Sequence, residues 1–554
     1  MAMQETIAAV PPRARAAPPQ RRRFWRVLPL LIALLALLPL ALVVAELLTP
    51  SAAVWRQLAG TVLPELARNT AVLVLGVGAG TLLLGTGLAW LVSAYRFPGR
   101  DAFVWLLVLP LAMPGYVLGF VVMATFDFAG PVQSALRDWF GPKVWFPPVR
   151  TGTTAVLVLT LALYPYVYLL ARAAFREQAA SMVEAARAMG LSRTQALLRL
   201  ILPLARPSLV AGVTLAMLEA LTDFATVRFF NFPTLSAGVF QVWEGMMDRA
   251  AAMELAALLL VVALALILAE RALRGQTRYT QVGGAIQPLA PVPLAGLRAW
   301  AATALCGTVL LAAFGLPVAR LLAWAAEELR VPSMPLAGGV VLRYLGTTVG
   351  LAALAAALAC GVALLMASGV RLEGGRAGRI AARLATLGYA MPGAVVASGA
   401  LLVLAATDRL LGWAGLISGL LLTGSLAGLV YAYAVRFLAV AFSSIEASLD
   451  KVSPRLVDAA RCMGAGPSRT LWRIHTPLVR SGLLAGATLV FIDVMKELPL
   501  TILLRPFGMD TLAIWTYMLA AESFWQAAAL PALIIIAAGL LPVALLVRAG
   551  EARR

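Results

Sequence analysis

The chain is 554 residues long, 61% hydrophobic and only 13% charged, with a mean hydropathy of +0.89. A water-soluble domain with that much apolar surface would aggregate, so the composition excludes a soluble enzyme or binding module and dictates a polytopic membrane protein. The net charge of +19 does not point to nucleic acid, because the cations lie in short segments between apolar runs rather than in one basic patch.

Residues 1–20 are rich in Pro, Arg and Ala and read as a disordered tail. Twelve apolar stretches follow, at roughly 27–48, 70–93, 103–125, 153–171, 205–223, 252–270, 301–323, 348–368, 384–406, 415–440, 480–499 and 527–547. Each approaches the ~20 residues needed to cross ~30 Å of hydrocarbon as a helix. The stretch at 415–440 is long enough to include a tilted or interfacial end. A cleaved signal peptide is the alternative for the first, but Val27–Leu48 exceeds the roughly 7–15 apolar residues of such a segment, and an anchoring helix is expected. With the N-terminus in the cytoplasm, inner segments hold about 32 of the 45 Lys and Arg and outer segments about 13. That is the positive-inside bias, and it places both termini inside.

The chain repeats itself. Asn69-Thr70, ahead of the second span, is matched ahead of the eighth by Thr347-Thr348. Gly76, Gly78 and Gly80 suit close helix packing; no strand precedes them and their spacing fails the dinucleotide pattern. Met113-Pro114-Gly115 recurs as Met391-Pro392-Gly393, at the same offset as the threonines. The proline breaks a helix there, either to line a cavity or to mark a helix start. Glu184-Ala185-Ala186, with Gly190 and Pro203, recurs at a slightly shorter offset as Asp458-Ala459-Ala460, with Gly464 and Pro477. The spacings from acid to glycine and from acid to proline are identical in the two copies, and Gly212 recurs as Gly486 at the offset of this loop. Six spans per copy is an even number, so the halves enter the membrane in the same orientation, as parallel repeats with a pathway expected between them. The linker, about 271–300, carries Arg271, Arg274 and Arg278 and the run Pro288–Pro293, and is expected to be a flexible cytoplasmic tether.

Cys306, Cys360 and Cys462 show neither pairing nor metal spacing and read as small packing residues; the one histidine, His475, is expected at the surface. No Gly-x-x-x-x-Gly-Lys-Ser/Thr occurs, and none of the three lysines, Lys143, Lys451 and Lys496, follows a glycine-rich loop. The chain therefore has no phosphate-binding loop of that kind. Either an ion gradient or a separate subunit supplies the work. In the first copy Ser181–Gly190 reads as a short helix with Glu184 in its early turns and Gly190 ending it, followed by a second helix over Arg193–Leu202. Two such knobs imply two receiving clefts on a partner.

These loops resemble the EAA loops of the inner-membrane permeases of ATP-binding-cassette importers. The family pattern is an acidic-Ala-Ala triplet, a glycine six residues after the acid and a later proline. Glu184, Ala185, Ala186, Gly190 and Pro203 match it, as do Ala459, Ala460, Gly464 and Pro477, with Asp458 in place of the usual glutamate. The resemblance implies an all-α membrane protein in which each loop is similar to a coupling helix seated in a groove of the ATPase. It implies two copies of a cytoplasmic ATPase that bind ATP and Mg, no cofactor and no enzymatic activity in this chain, a periplasmic substrate-binding protein, and a bacterial inner membrane. It implies a layout of tail 1–26, first helix and outer loop 27–65, core 66–269 with its loop at 176–203, linker with seventh helix and outer loop 270–342, core 343–546 with its loop at 450–477, and tail 547–554.

Downstream of each loop two acids lie four residues apart on one helix face: Glu219 and Asp223, then Asp493 and Glu497 at the offset of the loop. Counted from Leu204, Glu219 lies roughly 22 Å and Asp223 roughly 28 Å along the helix. Acids at that depth usually face a protein interior or an aqueous cavity, and four carboxylates suit a highly charged metal ion as cargo. The alternative is structural, with Lys496 and Arg228 neutralising neighbours. Lys496-Glu497-Leu-Pro499 through Arg505-Pro506 to Asp510-Thr511, and Asp223-Phe224 with Pro233-Thr234 and Val242-Trp243, resemble fused ferric-iron permeases, with thiamine, polyamine and phosphonate importers as relatives. The outer segments near 127–150, 224–250 and 500–526, with Trp139, Trp145, Trp243, Trp515 and Trp525, are expected to meet the binding protein or to form an aromatic membrane belt. An ion-coupled secondary transporter would also carry parallel repeats and buried acids but gives no reason for paired inner loops. An intramembrane enzyme lacks a nucleophile–base pair.

Overall fold

A computed structural model of the chain describes residues 19–48, 52–177, 190, 192–245, 249–274, 291–333 and 338–551. Among them, eleven helices are long and apolar enough to cross a membrane, and a helix pair bent by 75°, Pro467–Leu478 and Arg480–Lys496, makes up to twelve. The sole sheet among the described residues is a two-residue parallel ladder, Tyr95–Arg96 with Val292–Pro293.

Both Met-Pro-Gly motifs mark a helix start. Pro114 and Pro392 sit at the N-caps of Gly115–Phe126 and Gly393–Trp413 in extended backbone (ψ 143° and 138°). The third span therefore begins at Gly115 and runs to Phe140 rather than over 103–125, and the stretch ahead of it holds a separate helix, Arg100–Leu106. The ninth and tenth spans also shift: they run over Gly393–Trp413 and Leu426–Leu449 rather than 384–406 and 415–440. The apolar stretch 414–425 is not helical membrane chain. The backbone N–H groups of Leu421, Leu422 and Thr423 donate to the buried carboxylate of Asp408 at 3.2, 2.9 and 2.8 Å. Hydropathy registers the leucines of that loop but not the carboxylate that satisfies its backbone.

The chain divides into two compact units. One comprises Met1–Leu38, Leu354–Tyr389 and Tyr433–Phe491; the other comprises Pro39–Ala353, Ala390–Ala432 and Ile492–Arg554. In the first unit the opening helix, Pro19–Leu48, lies against the second half: a Cβ on Gly369 would stand 3.0 Å from Pro29 Cγ, and Arg26 pairs with Glu373 at 3.5 Å. In the second unit the same helix meets Gly399, where a Cβ would collide with the Pro39 carbonyl. The seventh span does the reverse. Ala299, Ala302 and Cys306 are buried among Leu88, Val104 and Tyr164 of the first half, and the Thr303 hydroxyl donates to the Pro98 carbonyl at 2.9 Å. Each half is thus covered by the other's leading helix.

The end of the linker is pinned rather than free: the ladder at Val292–Pro293 is extended by Leu294 N–H donating to Arg96 O at 2.9 Å. Residues 275–290 lie outside the described residues. Cys306 and Cys360 are buried but Cys462 is exposed, on the helix Pro454–Cys462, so it is not a packing residue. His475 also departs from expectation. It is fully buried, with Nδ1 3.0 Å from the Ser368 hydroxyl.

The repeat extends to single hydrogen bonds. Thr70 Oγ1 donates to Leu66 O at 2.6 Å and accepts from Leu235 N at 2.8 Å. Thr348 Oγ1 donates to Tyr344 O at 2.7 Å and accepts from Leu512 N at 2.8 Å. Leu235 and Leu512 open the helices Leu235–Phe240 and Leu512–Ala521, whose first N–H groups have no partner within the helix. A hydroxyl on the second or eighth span supplies it.

Candidate coupling loop and acid-bearing helix breaks

Glu184, Ala185 and Ala186 lie outside the described residues. Gly190 is described and has the left-handed φ of +82° expected of a residue ending a helix. The second copy is described in full. Pro454 occupies the first helical position and Ser453 caps it, its hydroxyl accepting from Arg455 N at 3.3 Å. The helix Pro454–Cys462 ends in a Schellman motif: Gly464 N donates to Arg461 O and Ala465 N to Ala460 O, both at 2.9 Å, with Gly464 at φ +81°. Asp458, Ala459 and Ala460 fall on the last two turns of that helix.

The helix has two faces. Val457 and Ala460 are buried, whereas Asp458, Ala459 and Cys462 are exposed together with Leu456 and Met463, the last at 79%. An exposed leucine and methionine two turns apart on one face are an apolar edge that water does not favour. Arginines tie the buried side to the end of the eighth span. Arg461 donates to Leu372 O at 2.5 Å, lies 3.5 Å from Glu373 and 3.8 Å from Asp458. Arg371 donates to Val452 O and lies 3.8 Å from Asp450. Sequence patterning missed Arg371 and Glu373, because nothing local marks residues two spans back in the chain as the loop's anchor.

After each loop the chain makes a widened, π-type turn at equivalent positions, Leu197–Ile201 and Leu471–His475, closed by Leu202 N to Leu197 O and Thr476 N to Leu471 O. Pro203 and Pro477 follow one residue later. A proline has no N–H to offer the carbonyl four residues back, so the turn opens just ahead of it. Beyond that the copies differ: Leu202–Thr222 runs on as one helix, whereas the second bends by 75° at Val479.

The four acids occupy two kinds of position. Asp223 and Glu497 stand where the helices Leu202–Thr222 and Arg480–Lys496 end, and each, one residue ahead of the N-cap, accepts from a first-turn backbone N–H of the short helix that follows. Asp223 accepts from Thr226 N at 2.7 Å and from the Thr226 hydroxyl at 2.6 Å. Glu497 accepts from Leu500 N at 3.0 Å. Asp223 also lies against the Met-Pro-Gly motif, since a methyl on Gly115 would come within 2.7 Å of its Oδ2. Glu219 and Asp493, one turn earlier, are half-buried, and Lys496 pairs with Asp493 at 2.9 Å. Tyr166, on the fourth span, is close enough to both to feel their charge. It brings together two acids from opposite halves of the chain and carried no signal in the sequence. Among the described residues no cluster of three or more His, Cys, Asp or Glu is placed to hold a metal ion. Of the aromatic candidates, Trp139 and Trp145 are exposed, while Trp515 packs on Tyr344 and Trp525 stacks on Phe120.

Comparison with known proteins agrees with the repeat. The family described as binding-protein-dependent transport system inner membrane component matches twice, over residues 81–275 and 359–554. The chain is 26% identical over 487 residues to the Fe(3+)-transport system permease protein FbpB 2 of Haemophilus influenzae, covering 87% of this chain and 89% of that one. It is 30% identical over 152 residues to the molybdenum transport system permease protein ModB of Escherichia coli, covering 27% of this chain and 65% of that one. Among solved structures, a bacterial ABC transporter importing alginate aligns with a TM-score of 0.39 at 16% identity, over 46% of this chain and 96% of the other.

Proposed function

The chain belongs to the family of binding-protein-dependent transport system inner membrane components, and on that premise we propose that it forms the transmembrane pathway of an ATP-driven importer whose cargo is ferric iron. The observation that carries the cargo is the alignment with a ferric-iron permease along nearly the full length of both chains. The fused architecture supports it, because the family match occurs twice in one polypeptide.

In this reading two copies of a cytoplasmic ATPase bind ATP and Mg and each receives one loop, Glu184 to Gly190 or Asp458 to Gly464. Both termini are cytoplasmic, as the distribution of Lys and Arg favours. A periplasmic binding protein docks on the other face. The apolar edge of Leu456, Ala459 and Met463 enters the ATPase groove. Because Arg461 and Arg371 bind that helix and its lead-in to the end of the eighth span, a push on the loop is transmitted to a membrane helix rather than absorbed by a slack connection. The proposed pathway residues are Glu219, Asp223, Asp493, Lys496 and Glu497. Glu219 and Asp493 supply charge to passing cargo, and Asp223 and Glu497 hold the helix breaks open by capping.

The test is reconstitution in proteoliposomes with the cognate ATPase and binding protein. ATP-dependent uptake of radioactive iron is the expected result. A binding protein purified with thiamine, a polyamine, a phosphonate or molybdate would replace the cargo, and proton-driven uptake with no ATPase would replace the transport class.

A further inference from the structure

The second half contains a cavity of about 530 Å³ that the transport reading does not use. Arg379, Arg383 and Thr386 line one side, and Ser443, Ser444 and Glu446 the other. The repeat makes the cavity informative. Gly212 packs on Val167 and Leu170, and Gly486 packs on Ala441 and Ser444, so the helices Gly152–Glu177 and Leu426–Leu449 align at the offset of the coupling loops. The helix Gly375–Ala385 aligns with the first half at the offset of the Met-Pro-Gly motif.

At these equivalent positions the first half carries bulkier or hydrogen-bonded side chains. Trp105 stands where the second half has Arg383, and Arg172 where it has Glu446; the Arg172 guanidinium lies over the Trp105 ring at 4.8 Å. Leu169 and Leu170 take the places of Ser443 and Ser444. The Tyr164 and Tyr168 hydroxyls donate to Leu107 O and Val104 O at 2.9 Å each, and the residues matching them, Leu438 and Phe442, have no hydroxyl. Stability alone would favour the packed arrangement of the first half. The second half has exchanged that packing for polar groups around open space.

The lining is chemically selective. Two guanidiniums one helical turn apart match the oxygens of a phosphate. Glu446 faces them from the other helix, with Arg383 and Asp450 the charged groups within its reach, and a carboxylate there suits an ammonium. The helix Gly375–Ala385 also has the mixed character of an interfacial element: Arg376, Arg379 and Arg383 are exposed, and so are Ile380 and Leu384, at 50% and 42%. We propose that this cavity binds an amino-phosphate zwitterion, with the phosphate on Arg379 and Arg383 and the ammonium on Glu446. An aminophospholipid headgroup or a free phosphate ester bearing a primary amine carries that chemistry. The ligand would clamp two helices at the base of the coupling loop, since the chain runs from Glu446 through Asp450 to Ser453, which caps the loop's helix. The inference stands on the geometry of the second half and not on the identity of the cargo.

The test is native mass spectrometry of the full-length, delipidated chain. Two probes are used: O-phosphoethanolamine in solution, and phosphatidylethanolamine against phosphatidylcholine in mixed micelles. Wild type is expected to bind one equivalent of at least one probe, and Arg383→Ala and Glu446→Gln to weaken that binding at least tenfold. Ser444→Leu, which installs the first-half residue, is expected to do the same by filling the space, and it serves if a charge variant does not stay monodisperse. Retention of phosphatidylethanolamine over phosphatidylcholine identifies the membrane as the source; binding of the soluble probe alone identifies a free ligand. Equal binding by wild type and all three variants, or binding of neither probe, overturns the proposal.

Discussion

The Arg228 guanidinium donates to the Tyr517 hydroxyl at 3.2 Å, across 289 residues of sequence. Arg228 belongs to the short helix Ala225–Phe229, which Asp223 caps, and Tyr517 to Leu512–Ala521 of the other half. The Tyr517 ring also meets Phe224 at 5.4 Å and Phe229 at 5.9 Å. The two halves are therefore latched beside a helix break. Tyr517→Phe keeps the rings and removes the hydrogen bond from Arg228, a loss of about 1 kcal/mol. The expected outcome is an ATPase rate, without binding protein, raised several-fold in the reconstituted complex. An unchanged rate in well-folded protein removes the latch.

Thr348→Val leaves the Leu512 N–H buried and unpaired, which costs about 1–3 kcal/mol. Thr348→Ser keeps the hydroxyl and should cost little. Thermal unfolding in detergent separates them, and Thr70→Val is expected to repeat the effect through Leu235.

The helix Pro454–Cys462, proposed to dock on the ATPase, should separate folding from docking. Gly464→Ala places a side chain at φ +81° and costs about 1–2 kcal/mol locally. Met463→Glu puts a charge on an exposed apolar edge and should leave stability within about 0.5 kcal/mol. Its expected effect is on the partner: burial of such a side chain contributes about 1.5–3 kcal/mol, so ATPase co-purification should fall at least tenfold. Full retention of the ATPase by Met463→Glu would show that this edge is not the contact.

Much of this was legible beforehand, for reasons that differ by residue. Spans and repeats were readable because lipid enforces apolar length and a duplicated unit keeps its spacing. The left-handed Gly464 was readable because few residues other than glycine end a helix in that way. The loop at 414–425 was not, because its leucines look like membrane chain while its backbone is held by Asp408, an interaction of side chain with main chain that hydropathy ignores. Nor was the burial of His475 against Ser368, since the two lie 107 residues apart. The acids were found but their division was not. Spacing placed each pair on one helix face, and only the helix break separates the capping acids from those near Tyr166.

That division predicts different consequences for neighbouring neutralisations. Asparagine caps helices about as well as aspartate, so Asp223→Asn should keep its fold and most of its uptake. Glu219→Gln, inside its helix rather than at the break, should lower uptake at least tenfold. The opposite ranking in transport assays would return the pathway role to the helix break.

Asp408→Asn leaves an amide facing the three backbone N–H groups of residues 421–423. Hydrogen bonds to a charged acceptor contribute about 1.5–3 kcal/mol, and the loop should open by a comparable amount. Hydrogen exchange confined to residues 414–425 is the readout; unchanged protection there would mean the carboxylate is dispensable.

The reciprocal cover by leading helices sets an order for biosynthesis. Pro29 packs against Gly369 and Pro39 against Gly399, so the helix Pro19–Leu48 has its resting place made only in the second half of the chain. It must wait in lipid, inserted but undocked, while later spans emerge. The first half cannot bury Tyr164 and Val104 fully until the seventh span arrives to cover them. Cutting the chain between its halves would thus not yield two finished subunits. Each fragment would hold the other's missing wall, and recovery of function would depend on the two exchanging it.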